Sequence, residues 1–296
     1  MNLIDVNTMF STDAKCRELL ARLRWPEGPQ CIRCKGPVVE LETDKHLFYC
    51  KDCDYQFTVT AGTVFNDTHL PLSRWFVATL LLCEAKKGMS ACQIQRTLGI
   101  SYKTAWYLCH RIRAAMAETD KAMLDGTVEM DETFIGGVKH GMGRGPHASD
   151  KEVVVGIRQR GGELRFFHAK DVKSGTLAKY IRENISEDVD FLMTDDHSAY
   201  RSAAKHLRQD RRHKTIRHKL KIYVKGDIHT NTVESAFSLL KRGVIGTWHR
   251  ISAKHLQAYC TEMAFRFNRR KNVDLFVDTL RHMITAPVLT FNRLTA

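Results

Sequence analysis

The chain has 296 residues, 43% of them hydrophobic, and a formal net charge of +13 at pH 7. That length allows two or three domains, each with its own core, and the positive excess points to an anionic partner, nucleic acid before an anionic membrane surface. The longest apolar run, Trp75–Cys83, is far short of a membrane span, and MNLIDVNTMF lacks the basic start and apolar core of a signal peptide, so a place in the cytosol and no membrane partner are expected.

Residues 1–27 read as one helix. Ser11 or Thr12 can cap it, and Cys16, Leu19, Leu20 and Leu23 form its apolar stripe. Residues 28–62 follow a stronger pattern. Cys31 and Cys34 are separated by fifteen residues from Cys50 and Cys53. Two C-x-x-C turns at this spacing place four thiolates on one tetrahedral ion, and the intervening Val38–Leu41 and His46–Tyr49 read as strands around a polar turn at 42–45. This predicts a zinc ribbon with a structural Zn²⁺. The other five of the nine cysteines (Cys16, Cys83, Cys92, Cys109 and Cys260) are expected as small buried hydrophobes.

Residues 63–122 look helical. Pro71 and Ser73 mark a start before the apolar Trp75–Leu82, and Ser90 can cap a second helix lined by Ile94 and Leu98. Gly99 breaks it, and Ser101 caps a third helix lined by Ala105, Leu108 and Ile112. This is helix-turn-helix grammar, with Tyr102, Lys103, Thr104 and Tyr107 on the exposed side of the reading helix. An ordinary helical hairpin would show the same pattern.

From 123 to 272 strands alternate with helices. Strands are expected at Val128–Phe134, Val153–Arg158, Glu163–Lys170 and Phe191–Thr194. A helix capped by Ser174 precedes the fourth strand and another, Ser198–Leu207, follows it. This βββαβα order is that of an RNase-H-like α/β core with a mixed five-stranded sheet. Arg201–Lys225 holds ten Lys/Arg and a single acid, Asp210, which predicts a phosphate-binding surface including Arg211, Arg212, Lys214 and Arg217. Helices Thr230–Arg242 and Ser252–Arg270 follow, separated by Gly243–Arg250, and 273–296 form a tail holding a short helix.

Acids stand in three suggestive places. Alternation puts Glu129, Asp131 and Thr133 on one face of the first strand; Glu129 and Glu132 are expected at an exposed edge or in local pairs. Asp195 and Asp196 end the fourth strand, where sites gather in α/β sheets, although both could cap the next helix. Asn231-Thr232-Val233-Glu234 fits a capping box with Asn231 as cap, and helix geometry alone favours that role for Glu234. In-line phosphodiester cleavage needs an activated nucleophile and a stabilised leaving oxygen, which two Mg²⁺ about 3.5–4 Å apart provide. Mg²⁺ prefers carboxylate oxygens.

The blocks VEMDETFIGG, TDDHSAY and HTNTVESAFSLLKRGVIGTWHRISAKHLQAYCTEMAFRFNRR resemble those of bacterial insertion-sequence transposases of the ISXO type. The resemblance spans about Gln30 to Lys271. It implies a multidomain protein: zinc ribbon, helix-turn-helix, then an RNase-H-like DDE domain. Asp131, Asp195 and Glu234 match the catalytic triad, which would hold Mg²⁺ or Mn²⁺, cleave at the element's ends and join the 3′-OH to target DNA. The implied partners are double-stranded DNA (terminal inverted repeats and target) and further copies of the chain, at least a dimer, in the cytoplasm with the nucleoid. Lys241, Arg242, His249 and Arg250 would lie along DNA. The rivals are a domesticated, non-catalytic zinc-ribbon and helix-turn-helix DNA-binding protein, and a stand-alone metal-dependent nuclease.

Overall fold

The computed structural model describes residues 1–41, 46–118, 120–136, 151–207, 212–216 and 227–296. They gather into two compact units, one formed by 1–117 with 269–296 and the other by 118–268.

The first unit opens with two helices where one was expected, α1 (Leu3–Met9) and α2 (Asp13–Arg24). Asn2 and Asp5 cap α1 reciprocally: Ile4 and Asp5 donate their N–H groups to the Asn2 side chain, and the Asn2 N–H donates to Asp5. Thr12 is the cap of α2. Cys16 and Leu20 are fully buried, whereas Leu19 and Leu23 are half-buried. The ribbon is an antiparallel sheet of β1 (Val38–Leu41), β2 (Leu47–Cys50) and an unexpected third strand, β3 (Gln56–Phe57). Trp25, Phe48 and Phe57 pack ring to ring beneath it. The expected turn at 42–45 lies outside the described residues.

Three helices follow, α3 (Leu72–Glu84), α4 (Ala91–Leu98) and α5 (Tyr102–Ala115). Pro71 starts α3, Ser90 and Gln93 form a capping box on α4, and Ser101 takes the Thr104 N–H to cap α5. Gly99 is left-handed (φ 61°), the conformation that ends α4 and lets α5 begin three residues later. Four of the five scattered cysteines are buried as expected; Cys92 is exposed, because it lies on the outer side of α4 away from Ile94.

The second unit is a five-stranded mixed sheet with helices on both faces. Its strands are β4 (Thr127–Ile135), β5 (Glu152–Gln159), β6 (Leu164–Ala169), β7 (Phe191–Asp195) and β8 (His213–Ile216), in the order β6-β5-β4-β7-β8. β4 pairs antiparallel with β5 and parallel with β7, and β8 lies parallel on the far side of β7. β8 falls inside the basic run expected to form a phosphate-binding surface. Its short HKTI has no apolar alternation, so pairing with β7 makes it a strand. One face of the sheet is covered by α6 (Ser174–Asn184) and α7 (Ser198–Ala203), with Val128, Met130, Leu177, Ile181 and Tyr200 in the shared core. Ser174 is the first helical residue of α6, not its cap. Lys173 holds the cap position, and Asp171 accepts from the Lys173 N–H and the Thr176 hydroxyl. The other face carries α8 (Asn231–Gly243) and α9 (Ala253–Asn268), packed through Val154, Phe166, Val233, Phe237 and Met263. The break expected after Arg242 is instead a π-helical turn over Val244–Trp248 that continues α8.

The last two helices, α10 (Leu275–Thr285) and α11 (Phe291–Thr295), return to the first unit. Phe276 of α10 meets Phe10 and Phe76 edge-on or tilted, and Thr279 meets Cys83.

Candidate active site

β4 and β7 run parallel, with Glu129 opposite Met193. Two residues further along each strand stand Asp131 and Asp195, on the same side by alternation. Opposite Asp131 on β5 is Gly156. A Cβ there would come within 2.7 Å of Phe237 and 2.9 Å of Val233, both on α8, so glycine lets that helix lie directly against the sheet beside Asp131. Glu234 follows Val233 in the first turn of α8.

The carboxylates repel one another. Asp131 is pushed up to about 8, first by burial, then by Glu132, and further by Asp195 and Glu234; the Glu132 N–H, donated to Asp131 Oδ1 at 2.9 Å, works the other way. Asp195 Oδ1 accepts from the N–H of His197, which precedes α7, so this acid fastens the turn without capping the helix. Glu234 Oε1 accepts from the Thr230 hydroxyl at 2.8 Å. The expected capping box is absent, since Asn231 is already helical and Thr230 holds the cap position.

A residue expected at the edge supplies that cap. Glu129 is fully buried, and its Oε2 accepts from the N–H groups of Thr232 and Val233 at 2.9 and 3.0 Å. Arg160 Nε donates to its other oxygen at 2.7 Å. Glu132 is also largely buried: it points to the opposite face, where the Tyr200 hydroxyl donates to it. Burial first, then the Glu132 charge, holds the Tyr200 phenol well above its ordinary range. Neither glutamate takes the exposed edge or the local pair expected. A carboxylate in a strand looks exposed from sequence because its partners, here Arg160 and a helix end a hundred residues away, leave no local pattern.

In the first unit Cys31, Cys34, Cys50 and Cys53 bring their sulfurs within 4.8 Å of one another. The Cys31–Cys53 and Cys34–Cys50 separations are 3.6 and 3.4 Å, close to the roughly 3.8 Å edge of a tetrahedron with Zn–S bonds of about 2.3 Å. The four thiols therefore fit zinc. Among the described residues no other group gathers so tightly, and the three acids are not drawn together to that extent.

Residues 123–268 match the ISXO2-like transposase domain, and residues 11–56 match the transposase zinc-ribbon domain. A Halobacterium salinarum protein described as an uncharacterized protein in transposable element ISH50 is 30% identical over 251 residues, 79% of this chain and 83% of its own. The chain belongs to the ISXO2-like transposases. The matched block of this ISXO2-like transposase contains Asp131, Asp195 and Glu234. No described helix is long and apolar enough to cross a membrane.

The residues expected to touch DNA are placed unevenly in the transposase. Tyr102, Lys103 and Thr104 are exposed at the start of α5, with the Lys103 ammonium 4.6 Å from the Phe291 ring centroid. Tyr107 is half-buried and donates its hydroxyl to the Leu289 carbonyl. Lys241 and Arg242 are exposed on the last turn of α8, and Arg250 is exposed beyond the π turn. Arg212 is half-buried, donating to the Glu187 carbonyl and lying 3.7 Å from Asp188. Lys214 is half-buried on β8, 5.7 Å from the Phe191 ring. Arg211 and Arg217 lie outside the described residues.

Proposed function

We propose that this ISXO2-like transposase is a DDE enzyme, which cleaves DNA at the element's ends and transfers the freed 3′-OH into target DNA. The observation that carries this is the placing of Asp131 and Asp195 on adjacent parallel strands with Glu234 in the first turn of α8, where burial, then the Glu132 charge, and further Asp195 and Glu234 raise Asp131. The order of strands and helices supports an RNase-H-like reading of the second unit.

A half-buried group of carboxylates is stabilised by a cation, and an all-oxygen donor set suits Mg²⁺ or Mn²⁺. Asp131, Asp195 and Glu234 would hold the metal, which when bound neutralises charge on the attacking and leaving oxygens of an in-line displacement. β4 and β7 keep two of the acids rigid, and α8 presents the third. Lys241, Arg242 and Arg250, on or just beyond the same helix, are exposed and would track phosphates, although Arg242 Nε also donates to the Ser238 carbonyl. α4 and α5 serve as a helix-turn-helix with Tyr102, Lys103 and Thr104 toward DNA, and the zinc ribbon supports end recognition. Joining two ends to one target calls for at least a dimer.

The test is a strand-transfer assay with terminal-repeat DNA and Mg²⁺, comparing the wild type with Asp131→Ala, Asp195→Ala and Glu234→Ala. Each variant is expected to bind the ends and to lose both cleavage and joining. Wild-type binding without cleavage would favour a domesticated DNA-binding protein, and cleavage without joining a stand-alone nuclease.

A further inference from the structure

The Glu129 carboxylate is fully buried and belongs to none of the three acids of the proposed reaction. Its two oxygens divide their work. Oε2 receives the N–H groups of Thr232 and Val233, the free donors of the first turn of α8. Oε1 receives Arg160 Nε. Arg160 then reaches the chain leading into that helix, donating to the carbonyls of Asp227 and His229 at 2.8 and 3.0 Å and to the Sδ of Met193 on β7 at 3.0 Å. His229 Nδ1 lies 3.0 Å from Arg160 Nη2 and 3.3 Å from Glu129 Oε1. The imidazole thus packs against both members of the pair: as bare Nδ1 it accepts from the guanidinium, and as Nδ1–H it donates to the carboxylate. Arg158, on β5, donates to the Thr232 carbonyl at 2.5 Å and to the Ser235 hydroxyl at 3.3 Å.

Glu129 is two residues from Asp131 on one strand, and Val233 is adjacent to Glu234 on one helix. The contact between Glu129 and the α8 amides is thus a direct polar link between the strand carrying the first acid and the helix carrying the third. We propose that Glu129, held by Arg160, is a positioning residue: it sets where Glu234 stands relative to Asp131, and does so without touching the metal or the DNA. The proposal rests on the DDE reading of the site. A helix end held only by its own side chain would leave the third acid free to shift with α8. An anionic cap from the sheet ties it to the strand and also favours the positive end of the helix dipole.

The experiment measures Mn²⁺ binding to the full-length chain by titration, alongside kcat and KM for end cleavage, in the wild type, Glu129→Gln, Arg160→Lys, Glu234→Gln and the Glu129→Gln/Glu234→Gln double variant. Glu129→Gln is expected to weaken Mn²⁺ binding by about tenfold or more, the range for groups that orient metal ligands, and to lower kcat with little change in KM. Arg160→Lys is expected to shift both in the same direction by less, and provides the measurement should Glu129→Gln fail to fold. In the Glu234→Gln background, Glu129→Gln is expected to add no further loss of Mn²⁺ affinity, because it acts through that side chain. Folded Glu129→Gln with wild-type Mn²⁺ affinity and kcat overturns the proposal alone, as do additive losses in the double variant. A wild type that neither binds Mn²⁺ nor cuts DNA overturns the functional reading, and this proposal with it.

Discussion

Asp131 carries the clearest physical consequence at the scale of single residues. Its folded value of about 8 lies above the ordinary 3.8, so the native state holds this proton more tightly than the unfolded chain. The stabilisation that follows is full below about 4 and is lost as pH rises through the folded value near 8. Urea unfolding of the protein in EDTA is expected to show this fall, and Asp131→Asn to flatten it. Added Mg²⁺ should reverse the slope by favouring the ionised form. Equal pH dependence in the wild type and Asp131→Asn would contradict the assignment. The strand position and metal chemistry, with the family resemblance, single out Asp131 as a candidate ligand in the sequence. Glu129 was not legible: alternation put it on the same face, but nothing local announces that Arg160 and the amides of Thr232 and Val233 will meet it. The four cysteines were legible because a tetrahedral thiolate site needs only two short turns, whose spacing the sequence displays.

At the scale of elements, α8 decides whether the site can assemble. Its closeness to the sheet depends on Gly156, where an added methyl would meet Phe237 and Val233 at under 3 Å. Neither neighbour sits at the end of a flexible side chain, so Gly156→Ala should force the helix outward. The expected cost is about 1–3 kcal/mol of stability, typical of overpacking, with a fall in cleavage rate because Glu234 moves with α8. Denaturant midpoints and single-turnover cleavage would check this; an unchanged rate would mean that the site tolerates the shift. The capping signals at Thr12, Ser90, Gly99 and Ser101 were readable because caps act within four residues. The cap of α8 misled, since N-T-V-E fits a local box while the true acceptor comes from β4. β8 and β3 were missed for a related reason: each is too short for periodicity to register and exists as a strand through its neighbour.

On the scale of the whole molecule, the two units do not follow the chain in simple succession. The first takes its last two helices from beyond residue 268. α10 buries Phe276, Leu280, Met283 and Ile284 there, each worth about 1.5–3 kcal/mol, a total comparable to a domain's net stability of about 5–15 kcal/mol. A chain ending at Asn268 is therefore expected to lose the calorimetric transition of the first unit and keep that of the second. Retention of both transitions would show that α10 is dispensable.

The sequence by itself determined what depends on short range and on composition: the four-thiol site, the helix ends at Thr12, Ser90, Gly99 and Ser101, the order of most strands, and a surplus of positive charge suited to DNA. Its resemblance to ISXO-type transposases singles out Asp131, Asp195 and Glu234 as the candidate acids. Only the tertiary structure decided how those residues are held. It placed Glu129 at the start of α8, set Gly156 opposite Asp131, made a strand of His213–Ile216 and returned α10 to the first unit. Each of these joins residues that are far apart along the chain or takes its stability from a neighbouring strand. Such contacts form only when the chain closes on itself, and no local pattern encodes them.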